Sequence, residues 1–159
     1  MTRTVDEELP PDRTETRRIM SGIEYMRKIM TGELPTSGMV QLLGLKLVEV
    51  GEGRAVFTVQ PDESHYNGLG IAHGGLAATL LDSALGCAIN ATMPAGKVFT
   101  TLEMKINYVR PITRERGELR CEANMIHAGG RVATAEGRIT DADGKLYAHG
   151  TATCILFRP

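Results

Sequence analysis

The sequence predicts an α+β domain in which a curved antiparallel sheet wraps around one long helix. Between Ile71 and Ala95 lies an apolar helical stretch in which Asp82 is the one acidic or basic side chain apart from a histidine. Four segments follow in which apolar and polar residues alternate, as they do in half-buried strands. A helix that is apolar on nearly all sides needs a cover on nearly all sides, and amphipathic strands can provide one.

The composition is typical of one domain with no preference for polyanions. The chain has 159 residues and a formal net charge of -1, close to the size of an ordinary domain. Its basic residues are scattered, so we expect no nucleic-acid partner, and no run reaches the ~18 apolar residues of a membrane span. The three cysteines form no C-x-x-C pair, as expected in a reducing compartment. We therefore expect a cytoplasmic protein that binds neither nucleic acid nor membrane.

The N-terminal part, residues 1–37, is predicted to be a tail and an amphipathic helix in front of the main domain, residues 38–159. The first ten residues are polar and contain prolines, so we expect them to be mobile. Asp12 and Glu15 predict the helix start, and Gly32 predicts its end. Apolar residues recur between them at helical spacing: Ile19, Ile23, Met26, Ile29 and Met30. This helix would lie on the domain or on a partner subunit.

The main domain is predicted to begin with a short link at Met39–Leu43 and a hairpin of two strands. A loop and the long helix, residues 74–93, follow, and Pro94 ends the helix. The predicted strands are residues 45–50 and 55–59 in the hairpin, then 102–108, 119–125, 131–140 and 145–157, with Asp143 and Gly144 in the last turn.

Asp82 is the candidate catalytic residue. A carboxylate is rarely buried without a partner, and this one stands among Leu, Ala, Gly, Thr and Ser side chains. The structural alternative is a buried aspartate whose oxygens accept bonds from a neighbouring hydroxyl or a backbone donor. The motif that precedes the helix favours catalysis.

The run HYNGLGIAHGG at residues 65–75, followed by Asp82 eight residues after Gly74, resembles the signature of hotdog-fold acyl-CoA thioesterases of the phenylacetate-pathway (PaaI-like) type. The resemblance extends from about Gly38 to Phe157. It includes the segments TLEM at 101–104 and YVRP at 108–111.

The resemblance implies a helix wrapped by the sheet and hydrolysis of an acyl-CoA thioester without a cofactor. It also implies a homodimer whose two sheets join edge to edge, and pairing of dimers into a homotetramer. We expect no metal, because His65, His127 and His149 show no ligand spacing.

The residue types suit thioester hydrolysis on physical grounds. The reaction needs donors aimed at the carbonyl oxygen and a base or nucleophile at the carbonyl carbon. Backbone N–H groups around Gly74 and Gly75 are unpaired at a helix start, at the positive end of its dipole, and Asn67 could add a side-chain N–H. Asp82 could deprotonate a water or attack directly to give a mixed anhydride, and the sequence leaves both routes open.

The spacing of these groups predicts a site shared by two chains. Eight helical residues advance about 12 Å, so Gly74 and Asp82 of one chain cannot both reach one thioester carbon. We therefore expect an obligate dimer with composite sites.

Two further residues have a catalytic and a structural interpretation. Thr101 matches the hydroxyl of the family and could position the water, but a strand threonine chosen for β propensity fits equally. His73 could bond near the carbonyl or fix the loop before the helix. Cys87 has no evident base near it in the sequence and is interpreted as a core thiol.

The substrate-binding candidates follow from the chemistry of coenzyme A. Arg110 and Arg131 could meet its phosphates near strand ends, although such arginines are also common as solvated surface charges. Leu81, Leu85 and Met104 could line an apolar slot for the acyl chain.

Two other functions remain open at this point. A non-catalytic acyl-CoA-binding hotdog protein would keep the pocket at the helix start but would not need Asp82. A hotdog hydratase or dehydratase relies on an Asp-His or Glu-His pair placed differently, and no such pair is evident in the sequence.

Overall fold

The structure is a computed structural model that describes residues 14–158. The predicted mobile tail and the predicted helix start at Asp12 lie outside the described residues.

Two short helices stand where the sequence predicted one: α1, Thr14–Ile19, and α2, Gly22–Met30. The break is a capping box at Ser21. The Ser21 Oγ accepts a hydrogen bond from the Glu24 N–H, and the Glu24 carboxylate accepts one from the Ser21 N–H at 3.0 Å, so a new helix starts there. Ile19 is 75% exposed. The apolar residues that predicted a single helix therefore do not all lie on one buried face.

The helix α2 packs against the C-terminal end of the long central helix, residues 74–90, and is hydrogen-bonded to the turn that follows it. Tyr25 and Met26 are buried in the common core, and the Gly22 N–H donates to the Met93 carbonyl at 2.8 Å. A Cβ at Gly22 would lie 1.7 Å from the Asn90 carbonyl oxygen, so only glycine permits this approach. The predicted domain boundary at residue 37 stays a prediction.

A third short helix, α3, Gly38–Leu42, occupies the segment predicted as a link. That prediction is wrong. Val40 is buried in the core, so this short helix packs against the domain.

The six strands form one antiparallel sheet in the order β1-β2-β4-β5-β6-β3. Their bounds are β1 Lys46–Gly51, β2 Arg54–Val59, β3 Val98–Tyr108, β4 Leu119–Ala128, β5 Val132–Thr140 and β6 Leu146–Phe157. Both predicted hairpins are confirmed. The strands β1 and β3 are the edges of the sheet.

The central helix α4, Gly74–Asn90, contacts five of the strands, and the predicted fold class, a curved sheet wrapped around one long helix, is confirmed. Small residues permit the close packing. A Cβ at Gly86 would lie 2.6 Å from the Phe99 ring, and one at Gly137 would lie 3.3 Å from Leu81 and Leu85. Within residues 14–158, none of the helices combines the length and apolarity needed to cross a bilayer.

A bulge in β3 determines which of its side chains face the helix. The pairing with β6 shifts between Thr101 and Glu103, and Leu102, the apolar residue at the start of the predicted strand 102–108, is 59% exposed. A bulge places two residues opposite one and re-aims the side chains on either side of it. As a result Thr101 and Met104 both turn toward the core.

Candidate active site

Asp82 and Thr101 form a hydrogen-bonded pair between the central helix and the edge strand. The Thr101 Oγ1 donates to Asp82 Oδ1 at 2.8 Å, and both side chains are partly buried. The hydroxyl therefore holds one carboxylate oxygen. The other oxygen can accept a proton or attack a carbon.

A cavity of about 230 Å³ lies beside this pair, and we call it the Asp82 cavity. One stripe of α4 forms its wall: Asp82, Ser83, Gly86, Cys87 and Asn90. The helices α2 and α3 cover it from the other side. One end of the cavity thus holds the carboxylate, and its cover comes from the N-terminal part of the chain.

The start of α4 is capped by a histidine. The His73 Nδ1 accepts a hydrogen bond from the Gly75 N–H at 2.9 Å, so a neutral His73 carries its proton on Nε2. This contact supports the interpretation that His73 fixes the loop before the helix. The cap also occupies the Gly75 amide, whereas the Gly74 N–H has no hydrogen-bond partner within residues 14–158. Gly74 is therefore the amide that a ligand can approach.

A second cavity, of about 560 Å³, opens at this helix start, and we call it the helix-start cavity. Asn67, Gly74 and Arg110 line it. The Asn67 Oδ1 accepts a hydrogen bond from the Leu69 N–H at 2.8 Å, an Asx turn that orients the side chain. With its oxygen so engaged, the Asn67 amide presents its NH₂ donors as the group for a ligand.

Tyr108 is a residue of this cavity that the sequence did not single out. Its hydroxyl donates to the Gly74 carbonyl at 3.2 Å, and a Cβ at Gly74 would lie 3.3 Å from its ring. The ring thus forms a wall beside the free amide. In the sequence, the only indication of Tyr108 was its place in the segment YVRP at 108–111, which is part of the resemblance to the thioesterase family.

The two cavities have no lining residue in common. Gly74 lines one and Asp82 lines the other, and eight helical residues separate them by about 12 Å along α4. The amide donor and the carboxylate therefore lie in different cavities of a single chain.

The predicted substrate-binding residues are scattered over the structure. Arg110 lies at the helix-start cavity and donates to the Leu146 carbonyl at 2.6 Å. Arg131 is exposed at the opposite end of the sheet and lines neither cavity. Leu81 and Leu85 are fully buried between helix and sheet, which removes them from the acyl-slot candidates. Met104 is partly buried against the core.

The pKa of Cys87 shows how burial along α4 affects an ionisable side chain. Cys87 lies on the wall of the Asp82 cavity, and its burial raises the pKa of the thiol to about 12. The Arg17 charge opposes this shift, and the smaller effect of the Asp82 charge adds to it. A thiol with that pKa stays neutral at physiological pH. The structure agrees with its interpretation as a core thiol.

The family model described as the thioesterase superfamily matches residues 69–148. The chain belongs to the thioesterase superfamily. The match includes the helix start, Asp82 and Thr101, and it ends before β6 is complete. The predicted family, and with it the prediction of a thioesterase enzyme, is confirmed.

Individual relatives extend the thioesterase match over most of the chain. It is similar to human acyl-coenzyme A thioesterase 13, with 28% identity over 82% of this chain and 93% of the relative. It is also similar to a solved structure of a conserved protein from Pseudomonas aeruginosa, with a TM-score of 0.72, 34% identity, and coverage of 77% of this chain and 95% of the other. The PaaI protein of Escherichia coli shares the fold, with a TM-score of 0.75 and 22% identity over 86% of this chain and 96% of the other.

Proposed function

We propose that this thioesterase hydrolyses acyl-CoA thioesters at composite sites, each built from the helix-start cavity of one subunit and the Asp82 cavity of the other. The observation that carries the proposal is the separation of the Gly74 amide from the Asp82 carboxylate within one chain. Two antiparallel copies of α4 would bring the start of one helix beside the middle of the other.

The reaction needs only groups present in the two half-sites. The Gly74 N–H and the Asn67 amide donate to the thioester carbonyl oxygen, where negative charge grows. Asp82 of the partner subunit takes a proton from water as the water oxygen bonds to the carbonyl carbon, or attacks that carbon directly. The C–S bond then breaks, the thiol leaves with a proton, and in the direct route water hydrolyses the mixed anhydride. Both routes yield the free acid and coenzyme A.

The edge strand β3 supports the assembly. It is 11 residues long, and one of its edges has no strand partner within residues 14–158, which makes it a template for another strand. Thr101 near its start touches Asp82, and Tyr108 at its end touches Gly74. Antiparallel pairing of two copies of β3 would place Thr101 of one subunit near Tyr108 of the other.

Charge supports a particular register for this pairing. Glu103 and Lys105 are exposed and lie on the same face of β3. If Met104 pairs with its own copy at the two-fold axis, each Glu103 stands opposite a Lys105, and cross-strand pairs of opposite charge are stabilising. That register also brings Thr101 to within about one residue of Tyr108 of the partner subunit.

A mixing experiment tests the composite site. The variants Asp82→Asn and Gly74→Val each damage one half-site, so each alone should lose at least about a hundredfold in kcat. A heterodimer of the two has one site with both wild-type halves. Random reassociation makes half of the dimers heterodimers, so the mixture should regain roughly a quarter of the wild-type activity.

The controls of the mixing experiment separate its outcomes. Each variant mixed with itself should remain inactive, and Asp82→Asn mixed with an Asp82→Ala variant should not recover, since both damage the same half. If the mixture of Asp82→Asn and Gly74→Val regains no activity although its subunits exchange, the proposal of a composite site is wrong. Absence of hydrolysis by the wild type on every acyl-CoA would favour a binding protein. A cytoplasmic location and a tetramer stay predictions.

A further inference from the structure

Three cations lie together at the end of the sheet where β3 begins and β6 ends, and we call them the basic cluster. Lys97 directly precedes β3, Arg131 directly precedes β5 and Arg158 directly follows β6. The Lys97 Nζ donates to the Gly130 carbonyl at 3.0 Å. The Arg158 Nη1 would lie 3.4 Å from a Cβ at Gly96. Each of the three segments therefore contacts another segment of the cluster.

The positive charge of the basic cluster is not neutralised by neighbouring acids. None of the three side chains forms a salt bridge within residues 14–158, and Arg131 and Arg158 are exposed. The whole chain has a formal net charge of -1, so the cluster is a local excess of cations. Exposed cations without acidic partners attract anions, and guanidinium groups bind phosphate oxygens in pairs.

The basic cluster lies near one half of the proposed composite site. Thr101, which bonds to Asp82, is four residues from Lys97, or about 13 Å along a strand. In the register proposed for two copies of β3, with Met104 at the two-fold axis, position 98 faces Arg110 of the partner subunit to within about one residue. Arg110 lines the helix-start cavity. The proposed dimer therefore brings the basic cluster of one subunit beside the helix-start cavity of the other.

We propose that the basic cluster binds the phosphate groups of coenzyme A, and that the cluster used at each site belongs to the subunit that supplies Asp82. This inference rests on the proposed function. The pantetheine arm separates the thioester from the diphosphate and the 3′-phosphate, so these phosphates must be bound at a distance from the carboxylate. The basic cluster offers three cations at such a distance, and Arg110 of the partner subunit offers a fourth. The cluster therefore selects the carrier of the acyl group and not the acyl group itself.

The test compares one acyl group on three carriers, which are CoA, 3′-dephospho-CoA and pantetheine. The acyl group is the one that the wild type hydrolyses fastest as a CoA thioester. We expect kcat/KM to be at least about tenfold lower for the pantetheine thioester, as for the loss of hydrogen bonds between charged groups, with dephospho-CoA in between. The difference should lie in KM, because the phosphate contacts are the same before and during the reaction. Added salt should raise KM for the CoA thioester only.

Two charge-reversed variants assign the preference to the basic cluster. Arg131→Glu and Arg158→Glu should each raise KM for the CoA thioester about tenfold and leave kcat/KM for the pantetheine thioester at the wild-type value. Arg138→Glu is the matched control and should leave both unchanged, because Arg138 is an exposed arginine of β5 that lines neither cavity of the composite site. Circular dichroism monitors folding, and the carrier comparison and salt dependence test the wild type even if a variant fails to fold.

Mixed dimers assign the basic cluster to one subunit. In a heterodimer of Asp82→Asn and Gly74→Val, the one intact site takes its carboxylate from the Gly74→Val chain. Arg131→Glu added to that chain should raise KM for the CoA thioester about tenfold, whereas Arg131→Glu added to the Asp82→Asn chain should leave KM unchanged. The opposite result would mean that the phosphates are bound by the subunit that supplies the helix start, and the assignment would be wrong.

The results that contradict the inference are distinct from those that contradict the function. Equal kcat/KM for the CoA and pantetheine thioesters would exclude the phosphate contacts while leaving thioester hydrolysis in place. Equal effects of Arg131→Glu and Arg138→Glu would also exclude them, since only the net charge would then matter. Absence of hydrolysis on every thioester would remove the proposed function and this inference together.

Discussion

Thr101 donates its hydroxyl proton to Asp82 across 2.8 Å, and this hydrogen bond joins the edge strand to the central helix. The bond fixes one carboxylate oxygen and so directs the other. It also joins the Asp82 carboxylate to the strand whose free edge we expect to pair with a second subunit. Under the proposed function, catalytic geometry and assembly would depend on the same strand.

Asp82→Asn should lower kcat by at least about a hundredfold, because an amide is neither a base nor a nucleophile at this position. Thiol release from a series of acyl-CoA substrates measures the effect. Asp143→Asn, in the exposed turn before β6, is the matched control and should keep wild-type turnover. Equal turnover of wild type and Asp82→Asn would exclude Asp82 as the catalytic group.

Thr101→Val should lower kcat about tenfold and leave KM nearly unchanged, because it removes a hydrogen bond to the charged carboxylate while keeping the shape of the side chain. Thr101→Ser keeps the hydroxyl and should restore most of the rate. Steady-state kinetics of both variants checks this. If valine and serine behave alike, Thr101 is only a strand residue chosen for β propensity.

His73→Ala should destabilise the protein by about 1 kcal/mol, since it removes the side-chain cap of α4, and should lower Tm by roughly 2–4 °C. His73→Asn supplies another capping oxygen and should recover the stability. Thermal unfolding and kcat are measured on the same samples. A large loss of kcat in His73→Asn with normal Tm would instead place His73 at the substrate carbonyl.

Iodoacetamide at pH 8 should leave activity nearly intact. Burial raises the pKa of Cys87 to about 12, so the reactive thiolate is fully formed only above that pH and is scarce below it. Mass spectrometry should find Cys87 unmodified in the native protein and all three cysteines modified in denaturant. Rapid inactivation that Cys87→Ala prevents would contradict the neutral thiol.

Charge reversal should test the register of β3 with its own copy. Glu103→Lys and Lys105→Glu each create like-charged pairs across the axis and should weaken the dimer about tenfold. The double exchange restores opposite charges and should recover both dimer and activity. Sedimentation measures the assembly, and Glu52→Lys in the exposed hairpin turn is the control. Dimers that are unaffected by the single changes would require a different register or interface.

The sequence predicted the parts of this fold that depend on local patterns. A helix that is buried on all sides is apolar throughout, and a strand that is buried on one side alternates apolar and polar residues. Both patterns can be read from the local sequence. The break at Ser21 was missed although the Ser-x-x-Glu signal is present, because apolar spacing continued through Ile19. The bulge at Leu102 depends on pairing with β6, which no local pattern records.

The site was predictable to the extent that its residues lie in one motif. Asn67, Gly74 and Asp82 are close in sequence, and the resemblance added Thr101. Tyr108 touches Gly74 across 34 positions of the sequence. Such contacts arise when separate elements dock, so packing of the whole chain was needed to find them.

The unpaired side of β3 has a consequence for a newly made chain. If β3 pairs with a second copy as proposed, its row of amide and carbonyl groups stays exposed until that copy binds. During that time it can pair with any extended segment, which is the first step toward aggregation. Substitutions along this strand should then reduce the yield of folded protein in a cell before any enzyme can be assayed. Natural selection would act on solubility and turnover through the same few residues.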